Sequence, residues 1–115
     1  MHDNIPNFIR LSEDEVERTT GMLRMLADST RVRILWALAQ GESSVACLAE
    51  LAETTPTAVS QHLSKLRLAG LVRARRQGTF QYYTVANDEI VAVLEAIIRR
   101  QVSEEPHAQL QSRTN

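Results

Sequence analysis

At 115 residues the chain is long enough for one domain and too short for two independent cores. An apolar share of 43% and a charged share of 23% suit a globular protein, and the single Cys47 excludes an internal disulfide framework. No basic-then-apolar signal opens the chain, and no apolar run nears the roughly 18–20 residues that span a bilayer. The expectation is a cytoplasmic protein with no membrane partner.

Residues 1–11 lack periodicity, and Pro6 breaks any early helix, so they read as an N-terminal arm. Ser12 with Glu15 three residues on is a capping box that opens a helix to about Ala27. Its apolar stripe is Val16, Leu23 and Leu26, with Met22 and Met25 to one side. Asp28 caps a second helix, apolar on more than one side through Val32, Ile34, Leu35, Trp36, Leu38 and Ala39, which Gly41 closes. Ser44 caps a short third helix from Val45 to about Ala52, with Val45, Leu48 and Leu51 expected inward. Thr54-Thr55-Pro56 is a turn, and Pro56 suits the first turn of a fourth helix that runs to Ala69 and stops at Gly70.

Beyond Gly70 the period changes. Leu71–Arg76 and Phe80–Val85, joined by Gln77-Gly78-Thr79, read as a β-hairpin. Asn87 or Asp88 caps a last helix to about Ser103, apolar at Ile90, Val93, Leu94, Ile97 and Ile98. Residues 12–103 therefore form the domain, and 104–115 a polar tail after Glu104-Glu105-Pro106.

The net charge of −1 argues against a polyanion as partner, but the distribution does not. Between Thr54 and Asn87 there is no Asp or Glu, whereas Lys65, Arg67, Arg73, Arg75 and Arg76 all fall there. A phosphate backbone responds to local potential, not to the total. On the fourth helix Val59, Leu63 and Leu66 stack on one side. The other side shows Thr57, Ser60, Gln61 and Ser64, flanked by Lys65 and Arg67. Hydroxyls and an amide without a carboxylate can donate to and accept from base edges at close range.

A short helix, a tight turn and this helix make a helix-turn-helix, whose second helix enters the major groove. The candidate DNA-contacting residues there are Pro56, Thr57, Ser60, Gln61, His62, Ser64, Lys65 and Arg67; His62 suits either packing or a phosphate contact. In the hairpin they are Arg75, Arg76, Gln77, Gly78 and Thr79, placed to follow the backbone or a minor groove. Arg75 and Gln77 share one face and Arg76 takes the other, so not every arginine can touch DNA. The fold class is mainly α with a small hairpin wing, a winged helix-turn-helix of about five helices. The first and last helices are more apolar than one small core needs. Val16, Leu23, Ile90, Leu94, Ile97 and Ile98 are the expected interface of a homodimer, whose two-fold axis suits a palindrome in double-stranded DNA.

Leu26-Ala27-Asp28-Ser29-Thr30-Arg31-Val32-Arg33-Ile34-Leu35, Ser60-Gln61-His62-Leu63-Ser64-Lys65-Leu66, Gly70-Leu71-Val72 and Arg75-Arg76-Gln77-Gly78 with Tyr82-Tyr83 together resemble the ArsR/SmtB family of bacterial repressors. The likeness covers about residues 16–100 and implies a homodimeric repressor on an imperfect palindrome. Ser29 stands where the family often has Pro, a change that a helix start tolerates.

The resemblance also raises metal sensing, and the family's usual ligand positions are poorly filled. Its third-helix site uses Cys-x-Cys, matched here by Cys47-Leu48-Ala49. Cys47 beside Leu48 and Leu51 is expected as a small buried hydrophobe. Its last-helix site falls on Asn87, Glu89, Arg100 and Ser103, of which Arg100 cannot ligate and Ser103 is a poor donor. The remaining candidate joins the two ends of the chain, His2, Asp3, Glu104 and His107, with nitrogen and oxygen donors suited to nickel, cobalt or zinc. The plain alternatives are two unrelated solvated ends, a regulator whose inducer is not a metal or that needs a protein co-factor, and a winged-helix module for protein contacts. No nucleophile–base or acid–base spacing points to an enzyme.

Overall fold

In the computed structural model of the chain, residues 6–104 are described, with side chains through Gln101. The elements run α1 (Glu13–Leu26), α2 (Ser29–Gln40), β1 (Ser43–Ser44), α3 (Val45–Leu51), α4 (Pro56–Leu68), β2 (Val72–Gln77), β3 (Phe80–Val85) and α5 (Asp88–Glu104). None of the described helices is long and apolar enough to cross a membrane.

The helix starts follow from local chemistry. Both halves of the Ser12–Glu15 capping box form, at 2.9 and 3.1 Å, so two otherwise orphan amides of α1 are satisfied reciprocally. Asp28 accepts from the Arg31 amide at 2.9 Å, Ser44 from Cys47, Thr55 from Ala58, and Asn87 from Ile90. The Arg31 amide holds the Asp28 carboxyl below the usual carboxylate range. The helix ends differ from one another. Gly70 takes φ 76°, which lets the Leu71 amide reach back to the Leu66 carbonyl at 2.9 Å. Gly41 caps α2 with an extended backbone instead, so no left-handed turn is needed there. The same reach-back closes α3 through Glu53 at φ 55°, an unusual conformation for a side chain with a Cβ. Arg33 anchors that turn, donating to the Ala52 carbonyl and to Glu53 Oε2.

The wing is a three-stranded antiparallel sheet in the order β1-β3-β2. Gln77 pairs with Phe80, so the turn has the two central residues Gly78 and Thr79 rather than the three expected. Gly78 carries φ 65°, the left-handed value that a two-residue hairpin turn requires of its first position. The third strand, β1, is two serines paired with Tyr83 and Tyr82.

Ile34, Leu35, Leu48, Val59, Leu63, Leu66 and Leu71 are completely enclosed and join α2, α3, α4 and the base of the wing. Burial of each such side chain stabilises the fold by about 1.5–3 kcal/mol. Three expectations about facing need correction. Leu51 is 56% exposed. Val45, Leu48, Ala49 and Ala52 already define the inward stripe of α3, and Leu51 lies roughly 110° from its centre at 100° per residue. In α1 the residues packed on the core are Met22, Met25 and Leu26, which leaves Val16 and Leu23 on the exposed side. In α5, Leu94 is buried in the protomer's own core, so it is not available to a partner; Ile90 and Ile98 also lean on that core.

Candidate nucleic-acid interface

The turn between α3 and α4 sets the pose of α4. Thr55 caps it, Pro56 occupies its first turn, and Val59, Leu63 and Leu66 bolt its inner side to the core. What remains outside is the face expected from the sequence. Pro56, Thr57, Ser60, Gln61, Ser64, Lys65 and Arg67 are all exposed. Five of them, Pro56, Thr57, Ser60, Gln61 and Ser64, line one shallow depression. Ser64 Oγ donates to the Ser60 carbonyl at 3.0 Å, so its hydroxyl proton is committed and its lone pairs remain free to accept. Gln61 keeps both amide functions outward, with the donor–acceptor pair that matches an adenine edge. Leu68, which sequence reasoning missed, is 90% exposed and continues the Thr57–Gln61–Ser64 stripe. The sign of it in the sequence was an i, i+4, i+7, i+11 spacing that includes one large apolar residue.

Two of the expected DNA-contacting residues have partners within the protein. His62 is half-buried: its Nδ1 lies 3.4 Å from Arg31 Nη1 and 3.9 Å from Asp28 Oδ2, on the side of α4 turned to the protein. That position fits the packing alternative for His62. Arg75 is clasped by Glu42 in a two-pronged pair, both bonds 2.6 Å, while its third nitrogen donates to Gln77 and its plane sits 5.1 Å from the Tyr82 ring centre. The hydrogen bonds from Arg75 hold the Glu42 carboxyl below the usual range, and those bonds raise Arg75 in turn. The segment that is free of acids in the chain thus acquires one in space. Arg75 braces the wing, and the free cations of the wing among the described residues are Arg73 and Arg76. Gly78 and Thr79 sit at the exposed tip, next to Phe80 at 63% exposure.

The metal positions implied by the family resemblance fare as follows. Cys47 is exposed on α3, not buried, and among the described residues no three His, Cys, Asp or Glu side chains gather closely enough to hold an ion. Asn87 spends its side-chain oxygen capping α5. Among the described residues these positions gather no metal donor set, and the side chain of Ser103 lies outside them. His2, Asp3 and His107, and the side chain of Glu104, lie outside the described residues.

Comparison with known proteins agrees with this geometry. A family model described as "Bacterial regulatory protein, arsR family" matches residues 28–74. The HTH-type transcriptional regulator KmtR of Mycobacterium tuberculosis is 49% identical over 80 residues, 70% of this chain and 62% of that protein, so the chain spans about three-fifths of KmtR. The nodulation protein NolR of Rhizobium meliloti is 36% identical over 84 residues, covering 73% of this chain and 69% of NolR. Among solved structures, the AntR antimony-specific transcriptional repressor superposes with TM-score 0.80 at 27% identity, covering 90% of this chain and 95% of AntR. A homodimeric winged helix-turn-helix DNA-binding domain from Mycobacterium bovis gives TM-score 0.70 at 30% identity, covering 87% of this chain and 96% of that one. With its helix-turn-helix, its wing and these relatives, the chain belongs to the ArsR family of bacterial transcriptional regulators.

Proposed function

We propose that the chain is a homodimeric repressor that reads an imperfect palindrome in double-stranded DNA through α4, with the wing on the flanking backbone. The observation that carries this reading is the carboxylate-free outer face of α4, where Thr57, Ser60, Gln61 and Ser64 are exposed between Lys65 and Arg67. The dimer is supported by Val16 and Leu23 on α1 and Val93 and Ile97 on α5, each 42–56% exposed, and by the homodimeric Mycobacterium bovis relative. The repressor role is supported by the likeness to AntR. A two-fold axis through these helices sets two reading helices about one DNA turn apart, roughly 34–36 Å.

The test is Val16→Glu combined with Ile97→Glu. Both positions are already exposed, so the protomer keeps its fold. Sedimentation is expected to show monomers, and promoter affinity to fall at least about 10²-fold through lost bivalency. A variant that stays dimeric, or a monomer that binds as well as the parent, contradicts the reading.

A second reading concerns an effector, and the antimony-specific relative favours it. The donors left for nickel, cobalt or zinc are His2, Asp3, Glu104 and His107. Promoter binding titrated with each metal in turn separates the cases. A loss of DNA affinity of about 5–150-fold, removed by His2→Ala with His107→Ala, supports a terminal sensor. Unchanged affinity with all three metals disposes of it and leaves a non-metal inducer or a protein co-factor.

A further inference from the structure

Where α1 ends, α2 begins and α4 passes by, one guanidinium touches all three. Arg31 Nε donates to the Met25 carbonyl at 2.7 Å and Nη2 to the Arg24 carbonyl at 3.2 Å, so it satisfies two carbonyls in the last turn of α1. Its Nη1 lies 3.4 Å from His62 Nδ1 on α4, and its own amide is held by Asp28 at the head of α2. A guanidinium can only donate, so the contact with His62 calls for an Nδ1 without a proton. No residue of α1 is fully buried, and its attachment to the body rests on Met22, Met25 and Leu26 leaning on the core. Apolar contacts of that kind are non-directional and tolerate sliding and rotation. A three-pronged polar joint does not.

We infer that Arg31 is a positioning residue for DNA recognition: it locks α1, which shares the dimer face with α5, to α4, which carries the reading face, and so helps to fix the separation and angle of the two reading helices in the dimer. Val59, Leu63 and Leu66 hold α4 to the core, and Gln61 neighbours His62 in the chain, so a shift of α1 at the His62 contact moves the dimer face relative to Gln61. The spacing of the half-sites is then a property of this joint as well as of the dimer interface. The inference rests on the dimeric, palindrome-reading function proposed above.

The experiment measures binding to a series of promoter fragments whose half-site spacing is changed one base pair at a time. Each added pair moves a half-site about 3.4 Å along the axis and turns it by roughly a tenth of a turn. The parent protein is expected to lose about tenfold or more per step. Arg31→Ala is expected to fold and dimerise but to respond to spacing within about threefold across the series, because the two reading helices now sample several poses. Arg31→Lys restores the charge without the planar fork and is expected to leave the response flat. His62→Ala removes only the α4 end of the joint; it is expected to flatten the response as well and serves if Arg31→Ala fails to fold.

A parent-like steep response in Arg31→Ala, or its full return in Arg31→Lys, overturns the inference. So does a His62→Ala variant that loses affinity equally at every spacing, which marks a phosphate contact instead. A parent protein indifferent to spacing removes the dimeric reading itself, and the inference falls with it.

Discussion

Gln61→Ala combined with Ser64→Ala is expected to abolish sequence-specific DNA binding and leave the fold intact. Both side chains are exposed, and neither supports the core. The one hydrogen bond of Ser64 runs to its own helix, and alanine is the better helix former, so α4 is not weakened. A good side-chain pair on a base edge discriminates by about 1–3 kcal/mol, and a dimer makes each pair twice. Specific affinity should therefore drop at least about 10²-fold, to the level of unrelated DNA. Lys65, Arg67, Arg73 and Arg76 remain, so non-specific binding persists. Fluorescence anisotropy on the promoter and on a scrambled duplex measures both quantities. A promoter affinity within threefold of the parent would mean that the outer face of α4 is not the reading face, and that the winged helix serves protein contacts.

The second large effect is on stability. Leu66 is fully enclosed beneath α4, and Leu66→Ala is expected to cost about 2–5 kcal/mol, a transfer loss plus a cavity that the packed core cannot close. For a domain whose total stability is about 5–15 kcal/mol, that is a severe loss. Leu51→Ala gives the contrast. The sequence pattern places Leu51 inward as well, but at 56% exposure its removal should shift stability by no more than about 0.5 kcal/mol. Urea unfolding at one fixed protein concentration compares the two, since dimerisation makes stability concentration-dependent. Equal costs at both positions would contradict the facing of α3.

These cases show which parts of the molecule local chemistry announces. Ser12 with Glu15, Asp28, Ser44 and Asn87 each satisfy an amide within three residues, so the helix starts are legible from spacing alone. Gly70 and Gly78 sit where a left-handed backbone is required, and the exposed polar face of α4 follows from its period. What escaped is non-local. Glu42 meets Arg75 across 33 positions, and nothing near either residue signals it. Two serines carry no strand preference, and β1 exists because the free edge of β3 offers it partners. Periodicity found the apolar sides of α1 and α5 but could not divide them. Leu94 faces the protomer's own core, whereas Leu23 and Ile97 face outward. The place of His62 in the helix left packing and a phosphate contact open, and the Asp28 and Arg31 side chains beside its ring come from the first turn of α2.

The account depends most on three cations per protomer, Lys65, Arg67 and the tip-proximal Arg76, meeting phosphate, with Arg75 committed to Glu42 and Arg73 on the opposite face of the strand from Arg76. The direct measurement is promoter affinity as a function of salt. If these six cations of a dimer displace counterions, log K against log salt falls with a slope of about −5, at roughly −0.9 per phosphate. Arg75→Gln is expected to leave that slope unchanged, and Arg76→Gln to make it shallower by about 2 per dimer. A flat salt response, or the same affinity for promoter and unrelated DNA at every salt, would contradict the DNA-reading surface described here.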